Sequence, residues 1–298
     1  MARLTLRPMT LFEQAVSSGQ VRLADLFSKG VSVGGTGGPT VPEYAELIVK
    51  GGWPALQGLD AAAATDALTD YVDHLADVDL RTLDGRPDPV RMTALLKALA
   101  RNTSTEAALQ KLATEAEIPS GNLSVPTVRK YLDQLTRIFV LEELPAWKPH
   151  IRSSIQTRVK PKWHFVDPSL AVAVLGNSSG NLLEDLDAMG FLFESMAVRD
   201  LRVYADVLDA KVFHYRDSTG LEIDAIVERR DGEWIGIEIK LGGERAIEEA
   251  VANFGKLHAR LTDQRLGHLA ALCVVTGGQT SYTRPDGIHV VSVGHLRA

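Results

Sequence analysis

The 298-residue sequence contains one cysteine, Cys273, so no internal disulfide can form, and a reducing, cytoplasmic setting is the expectation. The apolar neighbours Leu272, Val274 and Val275 point to a buried, inert thiol rather than a nucleophile. No run approaches the roughly 18 apolar residues that a membrane span requires. The opening stretch from Met1 to Pro8 has no apolar signal segment, so neither membrane insertion nor export is expected. Excess positive charge is missing as well. With 32 basic and 38 acidic residues the net charge is −6, which argues against indiscriminate nucleic-acid binding and leaves room for a local basic face. A Walker-type G-x-x-x-x-G-K-[ST] is absent. The run Gly34-Gly35-Thr36-Gly37-Gly38 is followed by Pro39 and reads as a flexible loop rather than a phosphate cradle. The eight histidines show no paired zinc spacing, and no G-x-S-x-G elbow occurs.

What is present describes a folded protein: 45% hydrophobic and 23% charged residues, with length for about two domains. Alternation over Arg3 to Arg7 predicts a strand. Helical spacing predicts helices over Val41–Lys50 and Asp60–Asp77, the first stopped by Gly51-Gly52-Trp53-Pro54. Arg86-Pro87-Asp88-Pro89 marks a boundary. Beyond it, Met92, Leu95, Leu96 and Leu99 form one helical stripe, and Leu109, Leu112 and Ala113 a second. Ser124 is placed to cap a third helix carrying Val128, Tyr131, Leu132 and Leu135 inward. A short strand over residues 139–144 completes a winged-helix outline. On its third helix Arg129, Lys130 and Arg137, with Thr127 and Gln134, are candidates for contacting DNA. The basic stretch Arg152, Arg158, Lys160, Lys162 reads equally as a groove lining or a solvated linker.

The chemistry concentrates between residues 190 and 242. A helix over Phe191–Tyr204 carries Glu194 in its first turn. A strand around Lys211–Tyr215 and two strand-like runs, Leu221–Val227 and Trp234–Leu241, follow. A two-residue turn at Asp231-Gly232 sets Asp224 opposite Ile239, a carboxylate on an apolar face. A three-residue loop Arg230-Asp231-Gly232, with Gly232 left-handed, pairs Arg229 with Glu233 and sets Asp224 opposite Glu238. The second register, from this loop or another of odd length, is expected. Like charges face to face on a sheet need an offset, and a divalent cation with oxygen ligands provides one. Lys240 lies on the Glu238 face, where its charge can orient water or stabilise a transition state. Residues 245–261 then read as a helix, 270–275 as a strand, Tyr282–Asp286 as a turn and 288–293 as the last strand.

Asp224 followed by Glu238-Ile239-Lys240 on the adjacent strand, after a helix bearing Glu194, resembles the PD-(D/E)XK nuclease superfamily. A wider resemblance adds Arg7-Pro8-Met9-Thr10-Leu11-Phe12-Glu13, Tyr44 through Pro54, Thr127 through Leu132 and Phe193-Glu194, all in order. Together these are similar to a bacterial family of uncharacterised AAA-type ATPases with a C-terminal nuclease-like domain. The resemblance implies that Glu194, Asp224, Glu238 and Lys240 occupy the nuclease core positions, with Asp224 and Glu238 as ligands for Mg²⁺. Without a P-loop the chain resembles the family minus its nucleotide-binding core, so ATP hydrolysis by this chain alone is not expected.

The resulting expectation is a mixed α/β (α+β) fold in three consecutive parts. Residues 1–86 form the end of an ATPase module plus a helical segment, 87–148 a winged-helix-like domain, and 149–298 a PD-(D/E)XK nuclease-like domain with a mixed sheet. The expected function is that of a DNA-associated, Mg²⁺-dependent nuclease-like protein, with endonucleolytic phosphodiester hydrolysis left open. The alternative is a non-catalytic DNA- or protein-recognition module working with a separate ATPase. Homo-oligomerisation stays open.

Overall fold

The structure is a computed structural model that describes residues 5–77, 88–119, 121–148 and 160–298. In chain order the first elements are β1 (Val21–Arg22), β2 (Gly34–Thr36), α1 (Val41–Lys50), α2 (Ala61–Asp77), α3 (Pro89–Arg101) and α4 (Leu109–Glu115). Next come β3 (Glu117–Ile118), β4 (Gly121–Asn122), α5 (Val125–Arg137), β5 (Leu141–Leu144), β6 (Lys162–Phe165), α6 (Pro168–Leu175) and α7 (Ser179–Glu184). A long helix α8 (Leu186–Val207) leads to β7 (Ala210–Arg216), β8 (Glu222–Arg229), β9 (Trp234–Lys240), α9 (Glu244–His258) and α10 (Asp263–Leu266). The chain ends in β10 (Leu269–Thr276), β11 (Thr280–Thr283), β12 (His289–Ser292) and β13 (Leu296–Arg297). The expected mixed α/β class is observed.

Two compact units cut across the three consecutive parts read from the sequence. One gathers Met1–Tyr44, Leu144–Pro161 and Met196–Ala298; the other gathers Ala45–Glu143 and Lys162–Ser195. The boundary at Ser195/Met196 falls inside α8.

The first unit is built on a seven-stranded sheet of order β2-β11-β12-β10-β9-β8-β7. The β7-β8-β9 meander is antiparallel. The chain then crosses through α9, so that β10 runs parallel to β9 and β12 parallel to β10. A parallel pair needs such a crossover, and a helix is its usual form. Below α9 lies a core of Ile223, Ile226, Trp234, Phe254, Leu257 and Val274, closed by Trp147 and Tyr215.

At this unit's margins the outcome differs from expectation. Residues 3 and 4 of the first predicted strand lie outside the described residues, and 5–7 form no strand. The glycine run is not a flexible loop: Gly34–Thr36 pairs antiparallel with Thr280–Tyr282 as an edge strand. A β-carbon on Gly35 would stand 2.7 Å from both Gln20 Oε1 and His295 Nδ1, so the strand can lie there only as glycine. Its pairing partner, the run 280–283 read partly as a turn, is accordingly strand β11.

The second unit is helical. Asp88 caps α3 by accepting from the Val90 N–H at 2.9 Å, and Ser124 caps α5 by accepting from the Thr127 N–H at 3.3 Å. The stripes Met92-Leu95-Leu96-Leu99 and Val128-Tyr131-Leu132-Leu135 are buried as expected. β5 pairs with β6, so the strand after α5 finds its partner at Lys162–Phe165, beyond the 87–148 segment read from the sequence. Helix α6 packs on α2 and α3. Its cap, Asp167, accepts from the Ser169 N–H (3.0 Å) and the Gly52 N–H (2.9 Å), while Trp53 Nε1 donates to Ser169 Oγ. The Gly-Gly-Trp-Pro stop of α1 is therefore also a tertiary contact.

Candidate active site on the central hairpin

The site begins with the turn. The β8–β9 ladder runs from Glu228↔Trp234 to Ala225↔Ile237. The Arg229 N–H donates to the Glu233 carbonyl at 2.8 Å, and Gly232 has φ +89°. This is the three-residue loop expected from the sequence. One step along the same ladder brings Asp224 to Glu238.

A bulge sharpens the arrangement. Between Phe213↔Ile226 and Tyr215↔Ile223 the β7–β8 ladder slips by one residue, so Asp224 and Ala225 together face His214. On the other side of β7, Ala146 bridges His214, whose carbonyl accepts from the Trp147 N–H at 2.6 Å. Bulges re-aim side chains. Here the slip places Ile223 in the same core as Ile226, whereas strict alternation sends the two to opposite faces.

Asp224 Oδ2 accepts from the Ile239 N–H at 2.7 Å and from Lys240 Nζ at 3.0 Å. Lys240 Nζ also stands 2.6 Å from Glu238 Oε2. The remaining oxygen, Glu238 Oε1, accepts from Asn253 Nδ2 of α9 at 3.1 Å, and Asn253 Oδ1 accepts from Lys256. Glu238 is 1% exposed and Asp224 8%, while the Lys240 side chain is 27% exposed. The ammonium thus forms the mouth of a buried carboxylate pair.

Burial above all, and then the charge of Asp224, push the Glu238 carboxyl up to about 8 against the pull of Lys240 and Asn253. For Lys240 burial acts downward, but the two carboxylates together outweigh it and hold the ammonium above lysine's ordinary range. Cys273 is fully buried, and desolvation pushes its thiol far above the ordinary range, as expected of an inert cysteine.

The face bearing these groups is not an open acidic surface. Ile226, Trp234 and Gly236 share it, and α9 covers it. A β-carbon on Gly236 would press within 3.0 Å of Leu272 and 3.8 Å of Phe254. Trp147 and Trp234 pack against each other with centroids 4.8 Å apart and ring planes tilted by 46°. Burying two such rings removes roughly 300–500 Å², about 8–12 kcal/mol as an upper bound. That exceeds the few kcal/mol a hydrogen-bonded carboxylate costs on burial. Asn253 and the α9 cover are the parts of the site the sequence reading missed. Apolar residues on the supposedly polar face, Ile226 and Trp234, were the available signal.

Asp224, Glu238 and Lys240 are brought together; Glu194 belongs to the other unit. There it accepts from Lys162 Nζ at 2.8 Å, both side chains being nearly buried. It sits well inside α8, which starts at Leu186 rather than Phe191. Lys162 is accordingly not part of an exposed basic lining; Lys160 is exposed, and Arg152 and Arg158 lie outside the described residues. On α5, Arg129, Lys130 and Arg137 are exposed, while Gln134 is buried. Among the described residues no group of three or more His, Cys, Asp or Glu side chains gathers as a metal site. Two carboxylates plus water still suit a hard cation such as Mg²⁺, provided the Lys240 ammonium moves from between them.

Residues 41–181 match the family model of a domain of unknown function, DUF8612, and residues 189–296 match another, DUF4143. The chain is similar to two uncharacterised proteins, Rv2008c of Mycobacterium tuberculosis and Mb2031c of Mycobacterium bovis. Each is 25% identical over 284 residues, covering 94% of this chain and 58% of the relative. The chain therefore spans a little under three fifths of these relatives. No solved structure matches. Among the described residues no helix is long and apolar enough to cross a membrane.

Proposed function

We propose that this protein is a DNA-associated, metal-dependent nuclease-like protein that hydrolyses phosphodiesters at the Asp224–Glu238–Lys240 cluster. The observation that carries the reading is the convergence of two buried carboxylates from adjacent strands on one partly exposed ammonium. Asp224 and Glu238 would hold Mg²⁺, which when bound supplies an acidified water and a charge to stabilise the phosphate. Lys240 is placed to orient the attacking water and to neutralise developing negative charge. Asn253 fixes one Glu238 oxygen and leaves the other to the site. The exposed Arg129, Lys130 and Arg137 of α5 serve as the DNA-binding face. The match to DUF4143, often found in AAA-ATPase-associated proteins, supports action beside a separate ATPase.

A second reading, a non-catalytic recognition module, draws on the same cluster. Lys240 pairs with both carboxyl groups, and burial raises the Glu238 carboxyl above the usual range, which reduces the negative charge the cluster presents to a metal. Cleavage of labelled single- and double-stranded DNA in Mg²⁺ and Mn²⁺ separates the two. Activity abolished by both Lys240→Ala and Asp224→Ala is the expected result. Activity surviving both, or DNA binding without cleavage, overturns the nuclease reading; the latter favours the recognition module.

A further inference from the structure

A cavity of about 270 Å³ opens at the C-terminal ends of β9 and β10, beside the first turn of α9. Its lining includes Thr276, Tyr282 and Val290 from the sheet, with Glu244, Glu248 and Arg284 around the rim. The strand registers locate it relative to the carboxylates. Glu238 lies beside Val274, Val274 beside Val290, and Val290 beside Tyr282, forming one row across four strands. Lys240 lies beside Thr276 in the next row. The cavity therefore occupies the same sheet face as the cluster, starting one strand from Lys240. Tyr282 stands about 14 Å from Glu238 at three strand spacings.

The lining selects its occupant. Arg284 is held by Glu248 and Asp286, which leaves no uncommitted positive charge among the rim residues. The carboxylate of Glu244 disfavours a phosphate there, Glu248 being paired with Arg284. Acceptors at the rim, hydroxyls of Thr276 and Thr280, and a Tyr282 ring that is 41% exposed suit a flat heterocycle bearing amino donors. Carboxylates accept from exocyclic amines of bases, and aromatic rings stack on bases of any sequence. The volume lies near the lower end of small-ligand sites, roughly 300 Å³.

We infer that this cavity receives an unstacked nucleobase flanking the scissile phosphate, making the substrate a single-stranded or unpaired polynucleotide rather than continuous duplex. The inference rests on the nuclease-like reading of the neighbouring cluster. A base inside a duplex reaches such a pocket only by leaving the stack, so an unpaired strand is preferred.

The test uses the full chain and a 12-nucleotide DNA strand carrying one 2-aminopurine, in Ca²⁺ buffer. Expected are a fluorescence change on binding the single strand and weaker binding of the matching duplex. Tyr282→Ala should lower single-strand affinity roughly tenfold or more, the reduction expected for one stacked base, and remove the fluorescence change. Tyr282→Phe should retain both. Equal affinity of wild type and Tyr282→Ala, or equal binding of single strand and duplex, overturns the inference. Cleavage in Mg²⁺ is measured separately: Tyr282-dependent binding without any cleavage removes the nuclease reading while the base pocket stands. Lys240-dependent cleavage indifferent to Tyr282 removes the pocket alone.

Discussion

Replacing Glu238 with glutamine isolates the electrostatic state of the cluster. The folded protein holds a proton on Glu238 up to about pH 8, whereas a glutamate in the unfolded chain releases it near 4.5. Between these values the folded state binds more protons than the unfolded one. The contribution to stability is fullest below pH 4.5 and is lost as pH rises through 8. At about 1.36 kcal/mol per pH unit the whole span amounts to roughly 5 kcal/mol as a ceiling. Glutamine cannot ionise and keeps one acceptor oxygen where Glu238 offers two, to Asn253 and to Lys240; titrating groups away from the cluster cancel in the comparison. Glu238→Gln should therefore gain on the wild type from pH 4.5 to about pH 8 and level off above, by up to about 5 kcal/mol in all. Urea unfolding followed by far-ultraviolet circular dichroism at a series of pH values measures this. A difference between the two proteins that does not change with pH refutes the reasoning.

Three other outcomes follow from the same structure. Asn253→Leu removes a donor that holds the Glu238 pKa down, so the midpoint of the pH-dependent loss of stability should move upward; an unmoved midpoint contradicts the assigned hydrogen bond. Lys162→Met removes the buried cation paired with the Glu194 carboxylate and should cost on the order of 3–5 kcal/mol by chemical denaturation, with Lys162→Met/Glu194→Leu recovering much of it. Changing Arg129, Lys130 and Arg137 together to Glu should leave stability nearly unchanged and weaken DNA binding. The slope of log affinity against log salt should also flatten by about 0.9 for each phosphate no longer neutralised.

The hairpin was legible because burial rules out the one-residue slip, which sends Asp224 among Ile237 and Ile239. Helices α3 and α5 were legible from their periodic apolar stripes, α5 from its Ser124 cap as well. What escaped depended on distant partners. The edge strand at Gly34–Thr36 has no side-chain alternation to betray it, since its glycines answer to Gln20, His295 and the approach of β11. The bulge at Asp224-Ala225 reflects pairing with β7, which no local pattern encodes. The cover of α9 over the carboxylates was announced only by Ile226 and Trp234 sitting on the supposedly polar side. A strand apolar on both faces is one covered on both faces. Glu194 shows the converse: its position in the sequence suggested chemistry, and its partner Lys162, 32 residues earlier, was not predictable from spacing.

The glycine strand β2 and the short β1–β13 pair have a practical consequence for dissecting the chain. A fragment cut to residues 189–296 discards both N-terminal strands. It strips β11 of its neighbour and exposes a row of backbone donors and acceptors that another molecule can pair with. Such a fragment is a template for self-association, and a test of function on it would report an aggregating edge rather than the site. Strand β2 is the cover that this chain supplies for the β11 edge.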